Sequence, residues 1–243
     1  LSERSESNGR SRTIDTTPAC RQAGIYTDKK GTDSTDYRIK LGLNSEEKLL
    51  VAASTHPGEE EIILNVYKKL LVDFTDLRLL IAPRHPERAK DVEKIVSRYG
   101  FKSLFISALN PTPNTQNLKP VFILDTIGQL LSFYALADIV FMGGSLVKKG
   151  GHNLLEPAAQ GKPILFGPHM FNFRDIAELF LKNQAAILVR NQDELYLKTK
   201  YLLEHPEIID QMRKKSQGLI LQNQGATQRN LALLKGLYAR LPL

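Results

Sequence analysis

Glycines, two histidines, an asparagine and a glutamate concentrate in residues 143–173 of this chain. Their order predicts glycine turns directly after a buried strand and then the start of a helix. Free backbone N–H groups at a helix start, together with the helix dipole, favour a phosphate or another anion. The stretch therefore predicts a site for the phosphate of a nucleotide.

Segment 150–156, which reads GGHNLLE, is the most specific part of this pattern. In the ligand-binding interpretation, N–H groups at the helix start meet a phosphate, the nearby Lys148 and Lys149 add positive charge, and Glu156 accepts hydrogen bonds from ribose hydroxyls. A capping box, with Asn153 as N-cap and Glu156 three residues later, explains the same spacing without a ligand. Both interpretations stay open at this point.

Two loops after predicted strands each contain a His-Pro pair that is followed closely by Glu. His56 stands in the first loop, and His85 in the second. Helix initiation alone also explains both pairs, because proline fits the first helical turn and early glutamates favour its positive end. Arg84 precedes His85 and offers a permanent charge and five donors, which suit a base edge or a phosphate, although a solvated surface arginine is the alternative.

Two further loops supply candidate contacts. Asp125 or Thr126 is a natural N-cap for the next helix. Gly128 is costly inside a helix unless a ligand or a backbone approaches closely. In loop 167–174, packing explains the two phenylalanines, whereas His169 and Asn172 are predicted to contact a ligand or another domain.

The elements that must position these loops alternate short apolar runs with stretches of helical period. Helices are predicted between the first two strands, after Pro86, over 127–136, and over 192–240 with breaks near His205 and Gly225. The pattern predicts an α/β fold, a doubly wound parallel sheet of the Rossmann-like kind, in which ligands bind beyond the carboxyl ends of the strands. Seven strands are predicted, at residues 48–54, 77–82, 103–107, 121–124, 138–142, 163–167 and 186–190.

Composition limits the classes of protein. Of 243 residues, 42% are hydrophobic, enough for a substantial core, and the one cysteine, Cys20, excludes an internal disulfide framework. No apolar run approaches the roughly 20 residues of a membrane span. The net charge of +7 suits nucleic acid, anionic lipid or a phosphorylated small molecule without choosing among them. Residues 1–36 hold few large apolar side chains and are predicted to form an unstructured or aberrant tail before a domain over 37–243.

Several enzyme classes lack their motifs in this sequence. It contains no Walker phosphate loop, no HExxH metal motif and no recognisable nucleophilic triad. The first predicted strand is not followed by GxGxxG, which argues against NAD. Nucleotide-sugar chemistry remains as the interpretation of the site.

Four parts of the sequence resemble one enzyme family. The segments THPGEEE, PRHPER, DTIGQL followed by YALADIVFMGGSL, and GGHNLLEPAAQGKPILFGPHMFNF are similar, in order and in register, to the C-terminal half of 3-deoxy-D-manno-octulosonic acid (Kdo) transferases of lipopolysaccharide synthesis. The resemblance covers residues from about Leu41 to the C-terminus. It implies the C-terminal domain of a GT-B glycosyltransferase, which binds CMP-Kdo, whereas an N-terminal domain binds the lipid acceptor.

The resemblance also implies an activity and a location. Kdo would be transferred from CMP-Kdo to a lipid A precursor, with inversion, at the cytoplasmic face of the inner membrane of a Gram-negative bacterium. No metal and no cofactor are expected. The family's general base is a carboxylate of the N-terminal domain, which residues 1–36 do not resemble. No catalytic residue is therefore expected in this chain, and the chain alone is expected to be largely inactive.

Individual roles follow from the same resemblance. The family usually has Glu where this chain has Gln129, and often Pro where it has Leu154, and both changes are expected to weaken nucleotide binding without destroying the site. The implied nucleotide-binding residues are Pro83, Arg84, Ile127, Gly128, Gln129, Asn153, Leu154, Leu155 and Glu156. Candidate donor contacts are His56, Gly144, Ser145, His152 and His169.

Other interpretations stay open. The N-terminal part of a complete transferase could have been lost through a frameshift or a gene-model error. A non-catalytic nucleotide- or RNA-binding domain that retains the fold is a second alternative, and a UDP-sugar transferase or epimerase is a third. No nucleic-acid partner is expected, because the chain has no Trp and only 7% aromatic residues for base stacking.

Overall fold

The computed structural model describes residues 34–109 and 119–223, which lie in one compact unit. Its centre is a seven-stranded sheet in the order β3-β4-β2-β1-β5-β6-β7, with every neighbouring pair parallel. All seven predicted strands are present, and their ends differ from the predictions by one or two residues at most. The strands are β1 (Lys48–Thr55), β2 (Leu77–Pro83), β3 (Ser103–Phe105), β4 (Val121–Ile123), β5 (Ile139–Met142), β6 (Ile164–Phe166) and β7 (Ala186–Leu188).

Helices cover both faces of the sheet, as the doubly wound prediction requires. In β1, Leu50 and Ala52 belong to one hydrophobic cluster and Val51 and Ala53 to the other, because successive side chains point to opposite faces. A strand buried on both faces reads as a continuous apolar run, which is the signal the sequence carried. The helices are α1 (Ser34–Lys40), α2 (Glu59–Leu70), α3 (Ala89–Arg98), α4 (Leu130–Leu136), α5 (Leu155–Ala159), α6 (Arg174–Lys182), α7 (Gln192–Glu204) and α8 (Pro206–Asn223).

Helix α2 shows how the crossover helices are specified. Gly58 precedes it with φ 94°, a conformation that glycine adopts without strain. Acidic residues occupy the first turn and Lys68 and Lys69 the last, so both ends complement the helix dipole. Ile63 and Val66 are buried against the sheet. The same helix therefore covers the core and places its first residues at the carboxyl end of β1.

The predicted start of one helix is wrong. Helix α4 begins at Leu130, not at residue 127, because Gly128 has φ 86° and interrupts the helix. The N-cap residue is Gln129, and neither Asp125 nor Thr126 caps the helix. Asp125 instead accepts a hydrogen bond of 2.9 Å from the backbone N–H of Ser107.

The first described element is a helix that crosses the predicted domain boundary. Helix α1 spans Ser34–Lys40, so the boundary predicted at 36/37 falls inside it. The predicted break near His205 is confirmed, because α7 ends at Glu204 and α8 begins at Pro206. The remaining tail prediction for residues 1–33, Cys20, and the predicted helix beyond residue 223 with its break near Gly225 lie outside the described residues. None of the described helices is long and apolar enough to cross a lipid bilayer.

Candidate functional site

The predicted site residues lie in loops at one edge of the sheet, where the parallel strands have their carboxyl ends. The loops after β1 and β2 are joined by a hydrogen bond of 2.9 Å from the Arg84 N–H to the Thr55 carbonyl. The loops after β1 and β5 meet through His56 and His152. The loops after β5 and β6 are joined because the His169 N–H donates to the Ser145 carbonyl at 2.9 Å. Four of the predicted segments therefore form one continuous surface.

Glu59, the first residue of α2, organises the centre of this edge. Its side chain is fully buried. One carboxylate oxygen, Oε2, accepts from the N–H groups of Gly144 at 2.7 Å and His56 at 3.0 Å. The other, Oε1, accepts from Ser145 at 3.1 Å and Leu146 at 3.0 Å. Burial raises the pKa of Glu59, and these four backbone hydrogen bonds act against that rise.

This arrangement shows how the N–H groups directly after β5 are used. Those of Gly144, Ser145 and Leu146 bind the carboxylate of Glu59, whereas the N–H groups predicted to meet a phosphate are those at the start of α5. The loop has the conformation of an anion-binding nest, and its anion is a side chain of the protein. Sequence reasoning assigned Glu59 only to helix initiation. The signal for its role was the Gly-Gly-Ser turn, whose N–H groups need an acceptor of some kind.

Ser145 joins two strand ends rather than facing a ligand. The residue is fully buried, and its hydroxyl donates to the carbonyl of Met142 at the end of β5. The same oxygen accepts the N–H of Gly167, just after β6, at 2.7 Å. Ser145 was predicted to contact the sugar donor. In the structure its hydroxyl makes both of these hydrogen bonds inside the protein.

Arg84 is exposed and stands on a loop with its own buried support. The following turn carries Arg88, whose guanidinium lies 2.9 Å from Oε1 of the fully buried Glu60. Thr55 donates its hydroxyl to the same oxygen at 2.9 Å. Pro83, the last residue of β2, is buried. A partly buried ion pair therefore fixes the loop after β2 to the first turn of α2, which Thr55 links to the end of β1, and Arg84 projects from this base.

The histidines after β1 and β5 are paired. The Nε2 atoms of His56 and His152 lie 3.1 Å apart, and the two rings are parallel within 2°. His85 lies beside them, with its ring centre 6.3 Å from that of His56. Burial, and then the nearby cationic side chains, lower the pKa of His56, and they lower that of His152 to about 4.

The start of α5 does not form the capping box that was one of the two interpretations of this segment. The N-cap position is Leu154, whose side chain is buried in the core. Asn153 accepts the Leu155 N–H at 3.0 Å, which is a local turn that caps one donor. Glu156 is therefore not engaged as a capping partner, and burial raises its pKa. Its carboxylate is half-buried at the site edge.

The remaining candidates lie at the margins of this edge. Ile127 is 87% exposed and Gly128 is exposed, whereas Gln129 is half-buried and accepts the Thr126 hydroxyl at 2.6 Å. His169 lines a separate cavity of about 390 Å³ with Phe171 and other residues of β6 and α6. None of the contacts found in the described ranges joins the side chains of these residues to those of the histidine pair or Arg84. In the same ranges, no three His, Cys, Asp or Glu side chains converge as metal ligands would.

Comparison with known proteins identifies the kind of domain. No family model matches the chain. A 3-deoxy-D-manno-octulosonic acid transferase from Haemophilus influenzae is 37% identical over 216 residues, which are 81% of this chain and 50% of that protein. The transferase of the same name from Aquifex aeolicus is 36% identical over 162 residues, 67% of this chain and 44% of its own length.

A solved structure matches the described fold. The C-terminal CMP-Kdo binding domain of WaaA from Acinetobacter baumannii superimposes with a TM-score of 0.71 at 28% identity, over 78% of this chain and 96% of that domain. This chain is a homologue of the C-terminal half of Kdo transferases. It spans about half the length, or less, of the curated Kdo transferases it matches.

More distant structures agree on the architecture. WaaG, a glycosyltransferase involved in lipopolysaccharide biosynthesis, is only 12% identical and has a TM-score of 0.56. This match shows the fold alone. The Kdo transferase homologue described here has the C-terminal domain of a GT-B glycosyltransferase, which confirms the predicted fold class and the family resemblance.

Proposed function

We propose that this chain is the donor half of a glycosyltransferase that transfers Kdo from CMP-Kdo to a lipid A precursor in lipopolysaccharide synthesis. One observation carries the proposal. The chain matches nearly the whole of a domain named for CMP-Kdo binding, and the loops that resemble the transferases lie at the carboxyl edge of the sheet. In parallel α/β sheets, this edge is where ligands bind.

The charge of the edge supports an anionic nucleotide. Arg84 is exposed on a rigid loop, and Lys149 follows β5. A guanidinium supplies a permanent charge and a planar set of donors for a base edge or a phosphate. We assign the cytosine to Pro83 and Arg84, and the base and ribose side to Ile127, Gly128 and Gln129.

Asn153, Leu154, Leu155 and Glu156 are assigned to the phosphate and ribose. Glu156 supports this assignment because its half-buried carboxylate makes no capping bond and keeps its oxygens available as acceptors. Ribose hydroxyls are donors of the right kind, and their hydrogen bonds would favour the ionised carboxylate. The N–H groups bound by Glu59 are not part of this phosphate site.

The reaction and its setting belong to the same proposal. Transfer would occur at the cytoplasmic face of the inner membrane, with the acceptor and the general base provided outside the residues described here. No metal is proposed, so EDTA is expected to leave nucleotide binding unchanged. The UDP-sugar alternative is not favoured, because the UDP-bound structures that share the fold, such as HepE from Anabaena at 14% identity, show the fold alone. The RNA-binding alternative is not favoured, because the relatives matched at 37% and 36% identity are Kdo transferases.

Calorimetric titration of CMP into the purified chain tests the proposal. We expect saturable binding of CMP, weaker binding of UMP, and a loss of affinity of about tenfold or more in Arg84→Ala. Arg98→Ala is the matched control, because Arg98 is an exposed arginine at the end of α3, which returns to the opposite edge of the sheet. Equal binding of CMP and UMP, or no effect of Arg84→Ala, would contradict the assigned site.

A further inference from the structure

We propose that the His56–His152 pair is an oxyanion site that takes up one proton when the anion binds. The inference rests on the proposed function for the identity of its ligand, since CMP-Kdo carries both a phosphate and a carboxylate. The geometry of the pair does not depend on that function.

The distance between the two Nε2 atoms limits how many hydrogens they can carry between them. Two nitrogen atoms 3.1 Å apart, both Nε2, share a hydrogen bond only if one imidazole donates and the other accepts. The resting pair therefore holds one hydrogen between His56 and His152 and one unprotonated nitrogen. A second proton would place two N–H groups against each other and break the bond.

Glu59 and Gly144 hold the backbone beside the histidine pair in place. Oε2 of Glu59 accepts from the N–H groups of both His56 and Gly144, so one buried carboxylate fixes the backbone on both sides of the rings. Gly144 has φ 65°, and a Cβ there would lie 3.1 Å from Nε2 of His152 and 3.2 Å from Cδ2 of His56. A larger residue would crowd both rings, and the positive φ itself favours glycine.

The charges around the pair are predominantly positive. The loop after β2 presents Arg84, His85 and Arg88, and the segment after β5 presents Lys149. Arg88 is neutralised by the buried Glu60, and His85 lies 3.6 Å from the exposed Glu87. Glu59 also faces the pair from α2, but its oxygens are occupied by backbone N–H groups.

This surplus of positive charge explains why an anion and a proton would bind together. The burial of the rings, and then the nearby cations, lower the pKa of both histidines and so favour the neutral pair. A bound oxyanion cancels the repulsion, so the second nitrogen takes a proton from solvent. The N–H to N bond breaks, and both Nε2–H groups then donate to the oxygens of the anion. A carboxylate or a phosphoryl group offers two oxygens for this geometry.

Nuclear magnetic resonance of the imidazole nitrogens tests the proposal on the full chain. The pKa values of His56 and His152 would be measured with no ligand, with inorganic phosphate, with free Kdo, and with CMP. We expect the pKa of at least one ring to rise by one unit or more with a bound oxyanion. A rise with Kdo but not with CMP identifies the carboxylate as the ligand, and the reverse identifies the phosphate.

Calorimetry supplies an independent count of protons. Titration of Kdo in two buffers of different ionisation enthalpy, at a pH between the free and the bound pKa of the titrating ring, is expected to show uptake of up to one proton, with an affinity that weakens up to tenfold per pH unit as pH rises. His152→Gln and His56→Gln are each expected to abolish the uptake, whereas His205→Gln, between α7 and α8, retains it.

The outcomes separate the two proposals. Failure of CMP to bind, with a raised pKa in phosphate or Kdo, overturns the nucleotide function and leaves the oxyanion site in place. Binding of Kdo or phosphate without a change in either pKa overturns the oxyanion site, as does proton uptake that persists in both glutamine variants. Unchanged ring pKa values with all three anions also overturn it.

Discussion

The carboxylate of Glu59 fills a position that sequence patterns assign to a ligand. Glycines after a strand predict N–H groups that point at an anion, and they do so here, but the anion is covalently part of the chain. Burying this carboxylate costs desolvation free energy when the protein folds. The buried carboxylate then holds three loop residues in a fixed conformation. The loop that carries His152 toward His56 is thereby rigid before any ligand arrives.

Glu59→Gln tests how much the two carboxylate oxygens contribute. A glutamine amide has the same shape but replaces one oxygen by an NH₂ group, which would face two buried N–H donors in either orientation. We expect a loss of about 2–4 kcal/mol in the free energy of unfolding, measured by urea denaturation. Glu61→Gln, two residues later in α2, is the control, because its partner Arg98 is mostly exposed. Equal losses in both variants would contradict the role given to Glu59.

His152 gives the protein a predictable response to acid. Its pKa is lowered from 6.5 to about 4 in the folded protein, so the unfolded chain binds the proton more tightly. The neutral ring therefore stabilises the fold above about pH 6.5, and this contribution is lost as pH falls toward 4. After allowance for partial exposure, we expect wild type to lose about 1–2 kcal/mol more than His152→Gln between pH 7.5 and 4.5.

Urea unfolding at several pH values measures that difference. Glu59 acts in the opposite direction, because its raised pKa makes the folded protein hold a proton more tightly than the unfolded chain above pH 4.5. The comparison is therefore between wild type and the variant at each pH, not between absolute stabilities. His205→Gln controls for the loss of a histidine. Parallel curves for wild type and His152→Gln would show that the pair does not titrate in this range.

At the residue scale, the sequence predicted the side chains at strand ends better than it predicted their hydrogen-bond partners. Arg84 and the two histidines were predicted because their side chains are unusual at strand ends, and the structure brings their loops together. The roles of Glu59, Glu60 and the hydroxyl of Ser145 were missed. Each depends on a contact between positions far apart in the chain, and no local pattern distinguishes a buried acceptor from a helix-starting acid.

Strand ends set the shape of the site at the scale of elements. Gly143 follows β5 directly, and a Cβ there would lie 2.5 Å from the backbone carbonyl oxygen of Ser54 at the end of β1. That atom belongs to the backbone and cannot move aside without shifting the strand. The close approach of β1 and β5 therefore requires glycine at this position, independently of any ligand.

Gly143→Ala is expected to lower the free energy of unfolding by about 2–3 kcal/mol, through overpacking between two strands. Gly218→Ala is the opposite case. Gly218 lies inside α8, and a Cβ there meets nothing within 4 Å. Alanine removes the entropic cost of a helical glycine, so we expect a gain of about 0.5–1 kcal/mol. Urea denaturation of both variants measures the effects, and a stabilised Gly143→Ala would contradict the close approach.

The elements were predictable to different degrees for a physical reason. Parallel strands are buried on both faces, so apolar runs located all seven strands. Helix starts were less certain, because the same residues serve as caps and as partners in tertiary contacts. Asp125 was a candidate cap for α4 but accepts from Ser107. The capping box that was one of two interpretations of Asn153 does not form, because Asn153 caps only Leu155. Asp125 bonds a residue of another segment, whereas Asn153 bonds the first residue of the helix that it precedes.

At the scale of the whole domain, one stabilising ion pair lies at the edge of the sheet opposite to the candidate site. Glu47, just before β1, accepts from the guanidinium of Arg78 at 3.1 Å and from the Asn44 N–H at 3.0 Å. Arg78 is 1% exposed and lies at the amino end of β2. The Arg38 guanidinium of α1 donates to the Glu47 carbonyl at 2.7 Å. This buried ion pair ties α1 and two strands together far from the loops of the candidate site.

Two variants, one at each edge of the sheet, test whether that ion pair affects binding. Glu47→Gln leaves the buried charge of Arg78 without a counter-charge, so we expect the free energy of unfolding to fall by about 2–3 kcal/mol while the Kd for CMP stays within about twofold of wild type. Arg84→Ala removes an exposed side chain and should weaken CMP binding without changing stability. Urea denaturation and calorimetry of both variants give the four values. If Glu47→Gln weakened CMP binding as much as Arg84→Ala, the two edges would be coupled through the strands, and the rigid sheet would have to transmit strain along β1 and β2 to the loops that follow them.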